Sequence, residues 1–317
     1  MAEKKSIATR LAFGQELAKI GAREDIIVLD ADLSKSTMTS LFKESYPERH
    51  LNCGIAEGNM MSTAAGFATC GKKVFAASFA MFAAGRAYEQ IRNSIAYPAL
   101  PVVVVGTHAG ITVGEDGATH QCIEDVALMR AIPNMTVISP ADGTETAAAV
   151  RALANYNKPA YLRLSRLAVP VLFDEEEYGE FEIGKGRVMR DGSDITIVST
   201  GLLLHEAIKA ADALSEAGIS VRLVNIPTIK PIDSDIIIES AKKTGAVLCV
   251  EEHNVIGGLG DAVCSVLSQN CPTLTDVVGI QDKFGASGKP AHLLDEYEVS
   301  ASYIEKRAKS LLDRKNA

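Results

Sequence analysis

Residues 102–121 read VVVVGTHAGITVGEDGATHQ. Four consecutive valines closed by Gly106 make a short, β-branched, wholly apolar run. Such a run has no polar face to offer water, so it belongs inside a parallel sheet covered on both sides. The glycine-rich loop that follows carries two histidines, one aspartate and one glutamate within the fourteen residues His108–Gln121. In open α/β sheets, ligands collect at the carboxyl ends of the strands. A purely structural loop rarely needs so many titratable groups. The strand and its loop therefore predict both an α/β fold and the place of its chemistry.

The same pattern repeats outward from this stretch. Ile26–Leu29 ends at Asp30, Val74-Phe75 runs into Ala76-Ala77-Ser78, Met135–Ile138 ends at Ser139-Pro140, and Tyr161–Leu164 follows. Helical periodicity falls between these runs, over Ile7–Ile20, Glu57–Thr69, Ala83–Ile95, Ile123–Arg130 and Glu145–Asn155, with Asp142 as N-cap of the last. Composition shifts over Ala168–Arg187, where Asp174–Glu180 is an acidic run that reads as a solvated connector. A second alternation then begins. Strand-like runs at 195–198, 221–224 and 247–250 precede helical segments at Leu203–Ala217, Asp233–Lys243 and Gly257–Leu267, and an amphipathic helix covers Ser300–Arg314. The expectation is α/β throughout: two doubly wound domains, the first with a parallel sheet over 1–170, a linker over 171–185, and a smaller domain over 186–317.

Composition narrows the function. The 317 residues are 47% hydrophobic and 23% charged, enough to bury a sizeable core. A net charge of −8 and a pI near 5.4 argue against nucleic acid as a partner, while leaving room for a local basic pocket for a phosphorylated metabolite. No apolar stretch of eighteen residues appears, so no membrane association is expected. Met1–Ser6 has no signal-peptide apolar block. Cys53, Cys70, Cys122, Cys249, Cys264 and Cys271 include no C-x-x-C pair and read as buried thiols of a cytoplasmic protein, without a zinc site.

Residue by residue, the candidates stay open. Glu57 is either a helix-start acid complementing the dipole or a functional carboxyl. His108 and His120 stand evenly between functional and structural roles, whereas His50, His205, His253 and His292 read as scaffold. The order of the pieces is more specific. Ala8-Thr9-Arg10, ADLS at 31–34, GIAEGNM at 54–60, SFAMFAAGRAYEQIR at 78–92, THAGITVGEDGATHQCIED at 107–125 and LSR at 164–166 together resemble the transketolase family along nearly the whole chain. The resemblance is to its pyrimidine-binding domain followed by its C-terminal domain. The family's N-terminal domain, which holds the cofactor diphosphate and a divalent metal through a G-D-G…N segment, has no counterpart here. Asp191-Gly192 lies in the wrong domain for it.

The resemblance implies a thiamine-diphosphate-dependent enzyme that moves a two-carbon ketol unit from a ketose phosphate to an aldose phosphate. It implies a separate N-terminal subunit that holds the diphosphate and Mg2+ or another divalent cation, and a two-fold assembly of two copies of each chain. Residue roles carry over in the same way. Glu57 would hydrogen-bond the aminopyrimidine, with Phe82 and Phe79 flanking it and Asp32 near the thiazolium or a subunit contact. Asp116 would contact a sugar hydroxyl and His120 the reacting carbonyl. Arg10, Ser36, His108 and Arg166 would take the substrate phosphate. Arg163, two residues away in a strand, ranks behind Arg166, and Tyr88 reads as structural. Three rivals remain: deoxyxylulose phosphate synthase, disfavoured by Thr107-His108-Ala109-Gly110; a 2-oxoacid dehydrogenase β-subunit; and a non-catalytic paralogue, disfavoured by the joint presence of Glu57, Asp116 and His120.

Overall fold

The valine run forms a wholly buried strand, Val102–Thr107, near the middle of a seven-stranded sheet. The computed structural model describes residues 5–317, so the first four residues of the Met1–Ser6 stretch, expected to carry no signal-peptide block, lie outside it. Of the six thiols expected to be buried, Cys122 and Cys249 are, Cys53, Cys264 and Cys271 are partly exposed, and Cys70 is exposed. In chain order the strands are β1 (Ser6–Ala8), β2 (Ile26–Asp30), β3 (His50–Asn52), β4 (Lys73–Phe79), β5 (Val102–Thr107), β6 (Thr136–Ile138), β7 (Ala160–Arg163) and β8 (Ala168–Pro170). They continue with β9 (Arg187–Arg190), β10 (Ile195–Ser199), β11 (Val221–Asn225), β12 (Thr228–Lys230), β13 (Ala246–Asn254) and β14 (Leu274–Ile280).

The first sheet has the order β12-β6-β7-β5-β4-β2-β3, parallel except for β12. Every residue of β2, β4 and β5 is buried, as expected of strands covered on both faces. The second sheet has the order β14-β13-β10-β11-β9, with β9 antiparallel at its edge. One apolar cluster runs from Phe13, Phe75 and Val105 in the first unit to Ile197, Leu223 and Leu248 in the second. The two layers therefore share core.

Most helices form where periodicity places them, and the helix Glu57–Thr69 has the expected bounds. Asp142 caps the helix Gly143–Ala154 by accepting the Glu145 amide at 2.8 Å. Three features differ. The first helix is Thr9–Ile20, because Ser6–Ala8 pairs instead as β1 with β8. The 83–95 stretch is interrupted: Met81–Arg86 and Ile91–Ala96 are wide π-helical turns around Tyr88–Gln90. The acidic connector exposes its glutamates but is anchored by buried Phe173 and Tyr178, whose ring centroids lie 5.0 Å apart, so apolar burial rather than charge sets its path. In addition β12, from the stretch assigned to the second domain, pairs antiparallel with β6 and completes the first sheet. No helix among the described residues is long and apolar enough to cross a membrane.

Candidate active site

The direction of winding reverses at β2. The chain steps from β2 to β3 at the sheet edge, then returns to β4 on the other side of β2. Loops leaving β2 and β4 diverge there, at the kind of position where open α/β sheets bind ligands. The candidate residues collect along that edge. Asp32 follows β2, Glu57 follows β3, Phe79 ends β4, His108 to His120 follow β5, and Arg166 follows β7.

Glu57 opens the helix Glu57–Thr69 and is only 3% exposed. The helix N-terminus favours a carboxylate there. Its Oε2 is nevertheless buried without a hydrogen-bond partner. An orphaned buried carboxyl oxygen forfeits stability, so it marks a group held ready for a ligand. The adjacent Ile55 is 84% exposed.

Four rings cluster after β4 and β5. Phe79 and Phe82 are stacked with centroids 5.8 Å apart and planes at 11°. The His108 imidazole lies over Phe79 at 3.8 Å, and His120 stands edge-on to Phe82 at 5.4 Å. His108 adopts φ +57°, a left-handed backbone that costs a non-glycine residue energy, and its Nδ1 bonds the Thr107 hydroxyl at 2.9 Å. Burial, then the charges of Arg10, Arg166 and His120, push its pKa down to about 3. His108 is thus neutral near pH 7. His120 is half-buried, with Nδ1 2.9 Å from the Thr119 hydroxyl.

Two guanidinium groups face the same place. Arg10 Nη1 donates to the Ser36 carbonyl at 2.5 Å, and its Nε is buried without a partner. Burial and the nearby Arg166 charge both lower the Arg10 pKa, the signature of like charges held together. Arg166 Nη1 donates to the Val113 carbonyl at 2.5 Å and lies 3.8 Å from Glu115 Oε2 and 4.0 Å from Asp116 Oδ2. An anion between the two arginines would relieve that repulsion.

The structure also separates residues that the sequence grouped. Ser36 reaches Arg10 through its backbone carbonyl. Asp32 is exposed at the rim, at φ +64°, and accepts from Asn52 Nδ2 at 2.9 Å. Asp116 is exposed beside Arg166. Arg163 is buried, pairing through Nε with Asp125 Oδ2 at 2.8 Å, so it braces the interior. Gln121 closes the loop motif, and nothing in the motif assigns it a role. Its Nε2 donates to the carbonyls of Ile111 at 3.1 Å, Gly114 at 3.3 Å and Ala286 at 2.9 Å, which staples the loop to the second domain. Only its type, an amide able to serve several carbonyls, could have signalled this.

A free carboxyl oxygen together with a slab of stacked rings suits the edge and the face of a planar heteroaromatic ring. No group of three or more His, Cys, Asp or Glu able to hold a metal ion occurs among the described residues. Fold and comparisons together define an α/β transferase. Residues 5–171 match the transketolase pyrimidine-binding domain and 184–304 the transketolase C-terminal domain. The chain belongs to the transketolase family and is a transketolase subunit. A putative transketolase C-terminal section from Methanocaldococcus jannaschii is 50% identical over 94% of both chains. A solved split-gene transketolase, described as an inactive β4 tetramer, superposes with a TM-score of 0.89 at 47% identity, covering 98% of this chain and 100% of that one. A 6-deoxy-6-sulfo-D-fructose transketolase subunit from a Clostridium species is 40% identical over 92% of this chain and 90% of that one.

Proposed function

We propose that this chain is the pyrimidine-binding subunit of a two-component ketol transferase acting on sugar phosphates. A separate N-terminal subunit holds the diphosphate of thiamine diphosphate and its divalent cation, Mg2+ or a substitute. The orphaned Glu57 Oε2 on the sheet edge that carries Phe79, Phe82, His108 and His120 is the observation that supports this reading most. Bound thiamine diphosphate would supply the nucleophilic carbon for ketol transfer.

Each residue here has a task. Glu57 bonds the ring nitrogen of the pyrimidine, satisfying Oε2, while Phe82 and Phe79 flank the ring face. Offset stacking contributes roughly 0.5–1.5 kcal/mol beyond area burial. Asp32 lines the rim. His120 holds or moves a proton at the substrate carbonyl, and Asp116 bonds a sugar hydroxyl. Arg10 and Arg166 take the terminal phosphate between them, with Ser36 and neutral His108 completing the donor set.

The assembly we propose is a cytoplasmic heterotetramer, two copies of this chain with two of the partner. The inactive tetramer described for the β chain of the 47%-identical split enzyme supports the dependence on a partner. A second reading of the substrate has its own support. The 40%-identical subunit is named for a sulfosugar, so the anion between Arg10 and Arg166 could be a sulfonate.

Ketol transfer by this chain with and without the co-expressed partner, in thiamine diphosphate and Mg2+, tests the reading. Robust turnover is expected only from the pair, and turnover by this chain alone would refute it. Parallel assays with phosphate and sulfonate donors decide the anion, while light scattering decides the stoichiometry.

A further inference from the structure

The second domain carries none of the residues assigned above, yet one of its carboxylates is buried beneath the active-site loop. Glu252, on β13, is 2% exposed. Its Oε1 accepts the Thr112 amide at 2.7 Å, and its Oε2 has no partner. Gly110 exists to admit it. Gly110 sits at φ +79°, a backbone that a side chain would strain, and a Cβ there would lie 2.2 Å from the Glu252 carboxyl carbon, so any substitution would push that carboxyl away from Thr112.

The contact belongs to a larger clamp. The Glu252 carbonyl accepts from Arg163 Nη2 at 2.9 Å, and Arg163 is locked by Asp125, which also accepts the Tyr161 hydroxyl at 2.8 Å. The next two residues continue it. His253 Nε2 accepts the Ala127 amide at 3.3 Å, and the Asn254 amide donates to the Ile123 carbonyl at 2.7 Å. Three successive residues of one strand thus hold the His108–His120 segment at Thr112 and the chain just beyond it at Ile123 and Ala127. His108 needs that grip, because a left-handed histidine relaxes unless its surroundings over-determine it.

Resting on the ketol-transfer reading of the site, we infer that Glu252 is a positioning residue for His108 and His120, acting through the Thr112 amide and the Gly110 turn. The second domain then takes part in the chemistry by fixing loop geometry.

The test compares Glu252→Ala, Glu252→Gln and Glu252→Asp with Val263→Ala, a cavity in the second domain's own apolar cluster. Hydrogen exchange on this chain and turnover of the assembled enzyme are both read. Glu252→Ala should speed exchange over 109–122 at least tenfold and lower turnover of folded enzyme at least tenfold. Glu252→Gln, which keeps an acceptor for the Thr112 amide, should stay within about threefold on both measures. Val263→Ala should lose thermal stability without either effect. Should Glu252→Ala fail to fold, Glu252→Asp, whose shorter arm withdraws from Thr112, carries the same comparison. Turnover within twofold of wild type in the Ala or Asp variant, or exchange raised uniformly along the chain with no excess over 109–122, overturns the inference. If the wild-type pair shows no ketol transfer, the functional reading fails, while the exchange data still decide the clamp.

Discussion

Two buried glutamates sit where a strand gives way to a helix, one in each domain. Glu251, 1% exposed near the end of β13, accepts the Leu259 amide through Oε2 at 2.6 Å and the Gly260 amide through Oε1 at 2.8 Å. It closes the first turn of the helix Leu259–Asn270, and both of its oxygens are satisfied. Glu57, 3% exposed at the start of its own helix, keeps Oε2 unmatched. The residue type, the burial and the helix terminus are the same. What differs is whether folding consumes the hydrogen-bonding capacity. A buried unsatisfied polar group costs about 1–3 kcal/mol, and the first domain bears that cost on its carboxyl edge, at Glu57 and at Arg10 Nε.

If that contrast is right, exchanging each carboxyl for a methyl should move different observables. Glu57→Ala should leave the melting temperature near or above wild type and lower ketol transfer by roughly a hundredfold or more. Hydrogen–deuterium exchange at the thiazolium carbon is the direct readout, and a wild-type rate would remove Glu57 from that role. Arg166→Ala and Arg10→Ala each delete charge-assisted contacts of about 1.5–3 kcal/mol. Use of phosphorylated donors should fall roughly ten- to a hundredfold while hydroxypyruvate is little affected, and equal losses with both donors would assign the arginine to fold or cofactor. Glu251→Ala should do the reverse of Glu57→Ala. Stability should drop by about 2–3 kcal/mol in denaturant melts, with turnover per folded molecule unchanged.

The smallest effect concerns His108. Its folded pKa, about 3, lies below the ordinary 6.5, so the unfolded chain binds the extra proton first and stability falls as pH drops below 6.5. Between pH 6.5 and 5.5 this one group should cost about 1 kcal/mol, which His108→Asn should abolish while tolerating the left-handed backbone. His50 and His205 are shifted the same way, so the difference between variant and wild type is the quantity to measure. An imidazole resonance for His108 that titrates near 6.5 would contradict the packed geometry.

Much of the fold was legible because buried parallel strands write themselves as apolar runs. Ile26–Asp30, Val102–Thr107 and Ile195–Ser199 are clear cases. Short edge strands are not legible that way. His50–Asn52, Arg187–Arg190 and Thr228–Lys230 owe their conformation to a neighbour's backbone, which local composition does not record. The candidate site divides likewise. Glu57, His108 and His120 stood out as polar groups in glycine-rich loops after strands. Gln121 and Glu252 matter through partners 165 and 140 residues away, at Ala286 and Thr112, and no spacing rule reaches that far.

The strand Thr228–Lys230 has a consequence for how the chain is made. Its partner, Ile138, precedes it by roughly ninety residues, so the first sheet cannot close its outer edge until about the first third of the second domain has left the ribosome. Until then β6 presents unpaired amides and carbonyls, an invitation to other nascent chains. Once β12 docks, the sheet of one domain is finished by the backbone of the other. The pair should then melt in a single cooperative transition, because neither half can leave without reopening its neighbour.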